Sequence, residues 1–440
     1  MKKHIICLLV SCALVPISRA QLNCDADSTG LISLVDLQED TYMGYQGGLY
    51  PGGDNEMPAT HRLAGSNAAK NIKPLDTLGN VDLVNGKIVF LGLGASTAGN
   101  TWNNFKDLVE DEPGLNPCLQ IVNGCQGAKG LEIMIDTLNY PWYWTDLVFT
   151  KMQAKGATPA QVQAIWMRTA SKADTVVEFP LFPNGIADKF EILLPILLEK
   201  FPNLKQVYIS GFFYGGYADS SKAFYDIVAE PGSYFTNYAV KWVVERQING
   251  DPDLVYAGPE KKAPWVAWGP HTWADGMRAN DYDGLFWNCE EDFQEDGGGY
   301  HLTTTGKIKD AQLILDWAKN NPVTMKWFLD GPKWNSCDPS GRMANGEVPD
   351  NSPTVTKEGI MLYPSPNNGI FNVKLNHGFK GFADIRIVNS FGQVVYANQV
   401  DAWNAIGNVS VDLGEVANGL YIMHLNLNGT ATSREFVVSR

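Results

Sequence analysis

The sequence predicts an α/β protein, a three-layer α/β/α sandwich around a parallel sheet, followed by a small all-β sandwich. Three observations predict it. Apolar runs of strand length recur at 87–93, 119–122, 162–167, 206–210 and 265–268. They alternate with helical stretches at 142–155, 190–201, 234–248 and 307–319. Apolar runs without alternation are strands covered on both faces, and strand–helix alternation means right-handed crossovers and a parallel sheet. From about Glu358 the helical period disappears, and short β-branched and aromatic runs take its place, separated by Gly, Asn and Pro turns.

Taken in order, residues 1–20 have a basic start (Lys2, Lys3), an apolar centre and a small-residue end at Ser18-Arg19-Ala20, the pattern of a cleaved signal peptide. Leu9-Val10-Ser11-Cys12 also fits a lipobox, but apolar sequence continues past Cys12 to a better cleavage site. Residues 21–80 form an extension on the core, and the Gly-rich stretch 47–53 opens a segment without period that predicts a long surface loop. The stretch 87–100, KIVFLGLGASTAGN, is a strand meeting a glycine-rich turn that presents Ser96 at a helix start. Ligands of such sheets bind at the carboxyl ends of strands. The run 119–122 ends in Asn123-Gly124-Cys125-Gln126-Gly127, a second glycine-rich turn whose backbone can approach a ligand oxygen. Thr158-Pro159 starts a helical turn before the third strand, which ends at Arg168-Thr169-Ala170-Ser171. The strand 265–268 leads into Gly269-Pro270-His271-Thr272-Trp273. Finally, His301 stands on a Gly-rich loop a few residues after an acid and just before a helix, where the acid can orient it outward. The core predicted from these elements is 81–330, with 331–357 as linker and 358–440 as the β-sandwich.

A formal charge of −14 argues against nucleic acid or anionic membranes as partners. Beyond the leader no apolar run has the length of a membrane span. Past residue 20 the cysteines are Cys24, Cys118, Cys125, Cys289 and Cys337, an odd number in an exported chain, so at least one is free. Their spacing fits no zinc site, and no metal or organic cofactor is expected.

The C-terminal segment carries Tyr363-Pro364-Ser365-Pro366, Gly369 with Phe371, the run from Asn389 through Gly392 to Val395, Asp412-Leu413, Gly419-Leu420-Tyr421 and a basic end at Arg440. It resembles the type IX secretion C-terminal sorting domain of Bacteroidota. The resemblance implies passage through that machinery to the cell surface or medium. The rest of the chain, from about 45 to 330, resembles the SGNH (GDSL-like) hydrolases. Ser96 matches the family's nucleophile block, with Gly94-Ala95-Ser96 in place of Gly-Asp-Ser. Gly127 matches the glycine that offers an oxyanion N–H. Asp296 and His301 match the Asp-x-x-His block, with His301-Leu302-Thr303-x-x-Gly306 its most specific part.

The resemblance implies a serine esterase: Ser96 as nucleophile, His301 as base, Asp296 as orienting acid, and the N–H groups of Ser96 and Gly127 as the oxyanion hole. There are two departures. Position 298 is Gly298, so Asp296 stands five residues before His301, and Glu295 and Asp292 are rival acids. The family's third-strand asparagine is absent, and Arg168, or Asn100 beside the nucleophile, would have to replace it. Asn100, Asn123, His271 and Trp273 are the candidate substrate contacts. Trp102, Trp166, Trp268, Trp273 and Trp287 would suit either a sugar platform or the core. Cys125 reads as a buried small residue or a disulfide half. The implied substrate is an ester, with acylated carbohydrate as its class. A glycan-binding protein on a degenerate hydrolase scaffold is the rival reading, separated from the first by whether Ser96 and His301 can meet.

Overall fold

In the computed structural model, the residues described are 22, 24–25, 27–218, 227–294, 298–331, 334, 360–363, 369–375, 382–389, 393–401, 408–414, 416–427 and 430–438. The expected signal peptide, the Pro/Ser/Asp-rich run at 348–353, Glu295 and Asp296 lie outside them.

The chain opens with α1 (Leu34–Leu37), a hairpin of β1 (Thr41–Tyr42) and β2 (Tyr45–Gln46), and α2 (Ala59–Lys70). Then come β3 (Ile88–Gly94), α3 (Ser96–Asp111), β4 (Leu119–Asn123), α4 (Leu131–Ile135), α5 (Phe149–Gln153) and β5 (Val162–Arg168). These are followed by α6 (Leu181–Lys200), β6 (Gln206–Ile209), α7 (Gly232–Ile248), β7 (Trp265–Trp268), α8 (Cys289–Asp292), α9 (Thr304–Asn320) and α10 (Met325–Phe328). The sheet is parallel throughout, in the order β4-β3-β5-β6-β7. All seven residues of β3 are buried, as the unbroken apolar run requires.

The strand order sets the layers. The crossover from β3 through α3 runs one way to β4, whereas those leaving β4 and β5 run the other way, so right-handed connections put α3 on one face and α4, α6 and α7 on the other. Accordingly α3 packs on α9, and α6 packs on α7 and α4. The outward connections of the neighbours β3 and β5 therefore diverge, and a crevice opens between their carboxyl ends. This is the switch point at which open α/β sheets bind ligands.

The structure departs from the expected elements in three places. Residues 47–53 do not form a surface loop: Leu49 and Tyr50 are buried, the Trp268 indole donates to the Leu49 carbonyl, and Lys241 donates to that of Tyr50. The segment after it folds into α2, which lays Gly65 against the Trp265 ring, where a Cβ would stand 2.4 Å away. Helix α6 begins well before residue 190, because Pro183 lies in its first turn, where no N–H is needed. The helix expected at 142–155 is a π-turn over Tyr143–Val148 continued by α5.

The C-terminal region adds β8 (Ile360–Tyr363), β9 (Ile370–Leu375), β10 (Phe382–Asn389), β11 (Val394–Asp401), β12 (Asn408–Asp412), β13 (Gly419–Leu427) and β14 (Thr430–Val438). Two antiparallel sheets, β11-β10-β13-β14 and β12-β9-β8, share a core of their own that includes Phe371, Val411, Met423 and Phe436. The short β-branched and aromatic runs of the sequence at 371–375, 383–389, 394–396, 409–413, 420–427 and 434–438 fall in β9 to β14 or extend one residue past them, and of these strands only β8 has no such run.

Candidate active site

Ser96 stands at the switch-point crevice as the first residue of α3. Gly94 makes the turn, with φ +142 and so close to β5 that a Cβ would lie 2.2 Å from the Arg168 carbonyl oxygen. The N-cap residue, Ala95, has no side-chain oxygen to accept from the first-turn N–H groups. Those amides face the crevice unsatisfied by a cap, at the positive end of the helix dipole, and suit a developing anion.

His301 reaches the same point from the other end of the chain. Its Nε2 lies 3.1 Å from Ser96 Oγ, across 205 residues of sequence. The loop that carries it is anchored on both sides. The Gln294 amide donates to the His301 carbonyl at 2.8 Å, and Phe293 pairs with Leu302. Thr303 caps α9 by accepting from the Gly306 amide. The spacing before His301 has a local cause: Gly298 and Gly299 are both in the left-handed region, at φ +70 and +75, and Gly299 packs against the Tyr217 backbone. An acid at 298 would occupy a strained conformation. Burial, then the positive charge of Lys307, lowers the His301 pKa and so favours the neutral ring that can accept a proton. Of the rival acids, Asp292 is committed elsewhere: its Oδ2 lies 2.7 Å from Lys309 Nζ and accepts from the Asn288 amide.

The cleft at Ser96, about 80 Å³, is lined from four strand ends: Ala95 and Thr97 after β3, Ala128 and Gly130 after β4, Ala170 and Lys172 after β5, and Phe212 after β6, with Ile227, Val228 and Tyr300 beside them. Gly127 is exposed next to this lining, in a loop held to the nucleophile turn by the Gln126 amide, which donates to the Gly94 carbonyl at 2.8 Å. Its own N–H has no hydrogen-bond acceptor among the described residues.

Other predicted contacts are corrected. Arg168 does not face the cleft. Its guanidinium is fully buried and bidentate to Asp310 of α9, at 2.6 and 2.9 Å, with Thr272 Oγ1 at 3.3 Å. Asn123 ties the end of β4 to α3, donating to the Gly99 carbonyl and Asn103 Oδ1, both at 2.8 Å, and accepting from the Cys125 amide. Asn100 lies on α3 away from the cleft lining and offers its carbonyl to Asn104. His271 is buried beside Trp268, neither ring nitrogen is hydrogen-bonded among the described residues, and burial pushes its pKa down to about 3. Trp273 is in the core, its indole donating to Glu230 at 2.8 Å. The other four tryptophans proposed for a sugar platform are equally buried. Cys125 is a free, buried thiol whose pKa burial pushes up to about 12, which makes it a poor nucleophile. Cys24 and Cys289 form a disulfide.

Lys172, Phe212 and Tyr300 are cleft residues that local motifs did not single out. The signal that finds them is positional, since Lys172 and Phe212 follow adjacent strand ends and Tyr300 precedes the histidine.

Residues 361–439 match the secretion system C-terminal sorting domain, so the chain is cargo of the type IX machinery and reaches the cell surface or beyond. No helix of the described residues is long and apolar enough to cross a membrane. No curated protein matches the chain in sequence. Among solved structures, PorZ of Porphyromonas gingivalis, a surface component of the type IX secretion system, is 23% identical over 19% of this chain, with a TM-score of 0.14. This chain spans only 12% of PorZ. A GDSL-like lipase of Parabacteroides merdae is 8% identical, covering 55% of this chain and 98% of its own, with a TM-score of 0.29. A gut microbial diltiazem-metabolizing enzyme is 11% identical over 78% of this chain and 74% of its own, again with a TM-score of 0.29.

Proposed function

We propose that the chain is a secreted serine esterase of the SGNH type, working through an acyl-serine intermediate. The observation that carries this reading is the 3.1 Å approach of Ser96 Oγ to His301 Nε2 at the switch point of a parallel sheet. In the tautomer with its proton on Nδ1, His301 accepts the Ser96 proton as Oγ attacks an ester carbonyl. The tetrahedral oxyanion lies against the N–H of Ser96 at the start of α3 and that of Gly127. His301 then gives its proton to the departing alcohol, and water repeats the sequence on the acyl-serine. Asp296 is the acid we assign to Nδ1. Arg168, bound to Asp310, is left out of the oxyanion hole. A small cleft favours short acyl groups, and esters of carbohydrates are the substrate class we assign.

The rival reading, a glycan-binding relic, draws on the absent third-strand amide. The approach of Ser96 and His301 speaks against it.

Hydrolysis of p-nitrophenyl acetate tests the proposal. Ser96→Ala and His301→Ala should each lower kcat/KM by about 10³-fold or more, as losing a nucleophile or base does. Acetate should be preferred over butyrate by about tenfold, since methylenes that do not fit a small pocket cost about 1–3 kcal/mol. Mutant rates equal to those of the parent protein on both esters would remove the esterase reading.

A further inference from the structure

A second cavity holds none of the cleft-lining side chains. It is an open groove of about 570 Å³ between the β1–β2 hairpin, α6 and the end of α7, lined by Tyr45, Asn184, Trp242, Glu245, Arg246 and Asn249 among others. Its volume falls in the range of small-molecule sites, about 300–1,000 Å³. We propose that this groove binds a segment of an uncharged glycan.

The chemistry of the lining selects that class. Two aromatic rings meet at one wall: Tyr45, which is 39% exposed, and the half-buried Trp242, with ring centroids 5.3 Å apart. Aromatic faces of this kind cover the C–H face of a pyranose ring while leaving its hydroxyls free. The side-chain amides of Asn184 and Asn249 have no hydrogen-bond partner among the described residues and can both donate to and accept from hydroxyls.

Most of the charges nearby are matched, and among the described residues the excess is negative: Asp251 has no ion pair, and Arg246 serves two acids. Glu245 pairs with Lys241 at 2.7 Å, and Arg246 pairs with Asp188 and Glu191, both at 2.7 Å. An anionic ligand would meet this negative excess, whereas a neutral polyol can add hydrogen bonds to the paired groups and to Asp251. A divalent cation fits less well. Glu191, Asp251 and Asp253 bring carboxylate oxygens within 4.8 Å of one another, but Arg246 holds Glu191 and Lys262 holds Asp253 at 2.9 Å.

The groove also supplies what the five buried tryptophans do not, an aromatic surface open to solvent. The inference does not require esterase activity, and its test separates the two. The secreted protein would be run in native gels cast with xylan, glucomannan, hydroxyethylcellulose or polygalacturonate, with serum albumin as the unretarded standard. The expected result is retardation in at least one of the three neutral polysaccharides. It should persist in Ser96→Ala and fall at least fivefold in apparent affinity in Tyr45→Ala and in the Asn184→Ala/Asn249→Ala pair. Both groove variants should melt within about 2 °C of the parent, which shows that they are folded. Retardation in none of the neutral gels, retardation only in polygalacturonate, or retardation unchanged in the groove variants would overturn the proposal.

Discussion

His301 accepts a proton only when neutral, so esterase activity should fall as pH drops through its pKa. Burial and the charge of Lys307 both disfavour the imidazolium, whereas the Asp296 carboxylate we assign to Nδ1 would favour it, so Asp296→Asn should move the midpoint of the acid limb down. Lys307→Gln removes one of the two causes and should move the limb upward by a few tenths of a unit. An unmoved limb in Lys307→Gln would contradict the assignment. His271 gives a prediction about stability instead. Its pKa is near 3 in the folded chain, so below about 6.5 the unfolded chain takes up a proton that the folded one refuses. Stability is lost as pH falls from 6.5 toward 3, and His61, lowered to about 4 by burial, adds to the loss. His271→Leu deletes a buried ring that makes no hydrogen bond among the described residues. Its melting temperature relative to the parent should be higher at pH 4.5 than at pH 8, and an equal difference at both would mean that the ring does not titrate as described. Both histidines follow strand or loop signals in the sequence. What separates a base from a core residue is how much water reaches each ring, and that depends on side chains distant in sequence.

Among elements, the Arg168–Asp310 pair has the widest reach. Arg168 ends β5, and Asp310 projects from α9 six residues after its start. Thr101 of α3 donates to the same carboxylate at 2.6 Å. One buried cluster thus fixes the helix that follows the histidine against the helix that begins with the serine. The pair replaces the expected oxyanion role of Arg168 with a positioning one. Removing one partner strands the other charge in the core, and Asp310→Ala should destabilise the protein by about 3–5 kcal/mol in urea unfolding. Replacing both, as Arg168→Met with Asp310→Leu, should cost much less, while still lowering kcat because the link to Thr101 is gone. Equal losses in the single and double variants would show that an unpaired buried charge is not the cause. Position told where Arg168 lies but not what it does. Its partner is 142 residues away and carries no pattern of its own, whereas β3, β4, β5, β6 and β7 were legible because a buried parallel strand is written in consecutive residues.

Across the whole molecule, segments far apart in sequence converge on the histidine loop. The Ser28 and Thr29 hydroxyls and the Thr29 and Gly30 amides all donate to Asp275, and Cys24 is bonded to Cys289, 265 residues away. Cys289 begins α8, and the Asp292 carbonyl at its end accepts from the Thr303 amide, just past His301. None of this was legible beforehand, since cysteine spacing does not encode pairing and polar residues near an N-terminus resemble any exposed segment. The sorting domain was legible because its short strands and turns form an ordered local pattern. The disulfide closes a very long loop, for which chain entropy allows a stabilisation of roughly 5 kcal/mol, although measured values are more often about 2–4. Cys24→Ser should therefore lower the unfolding free energy by about 2–5 kcal/mol. Because the freed strap adjoins the support of His301, kcat should fall further than KM rises, and Cys289→Ser should reproduce both effects. A variant with lower stability but unchanged kcat would make the disulfide a staple for the fold alone. Loss of both together would mean that this staple also holds the histidine within reach of Ser96.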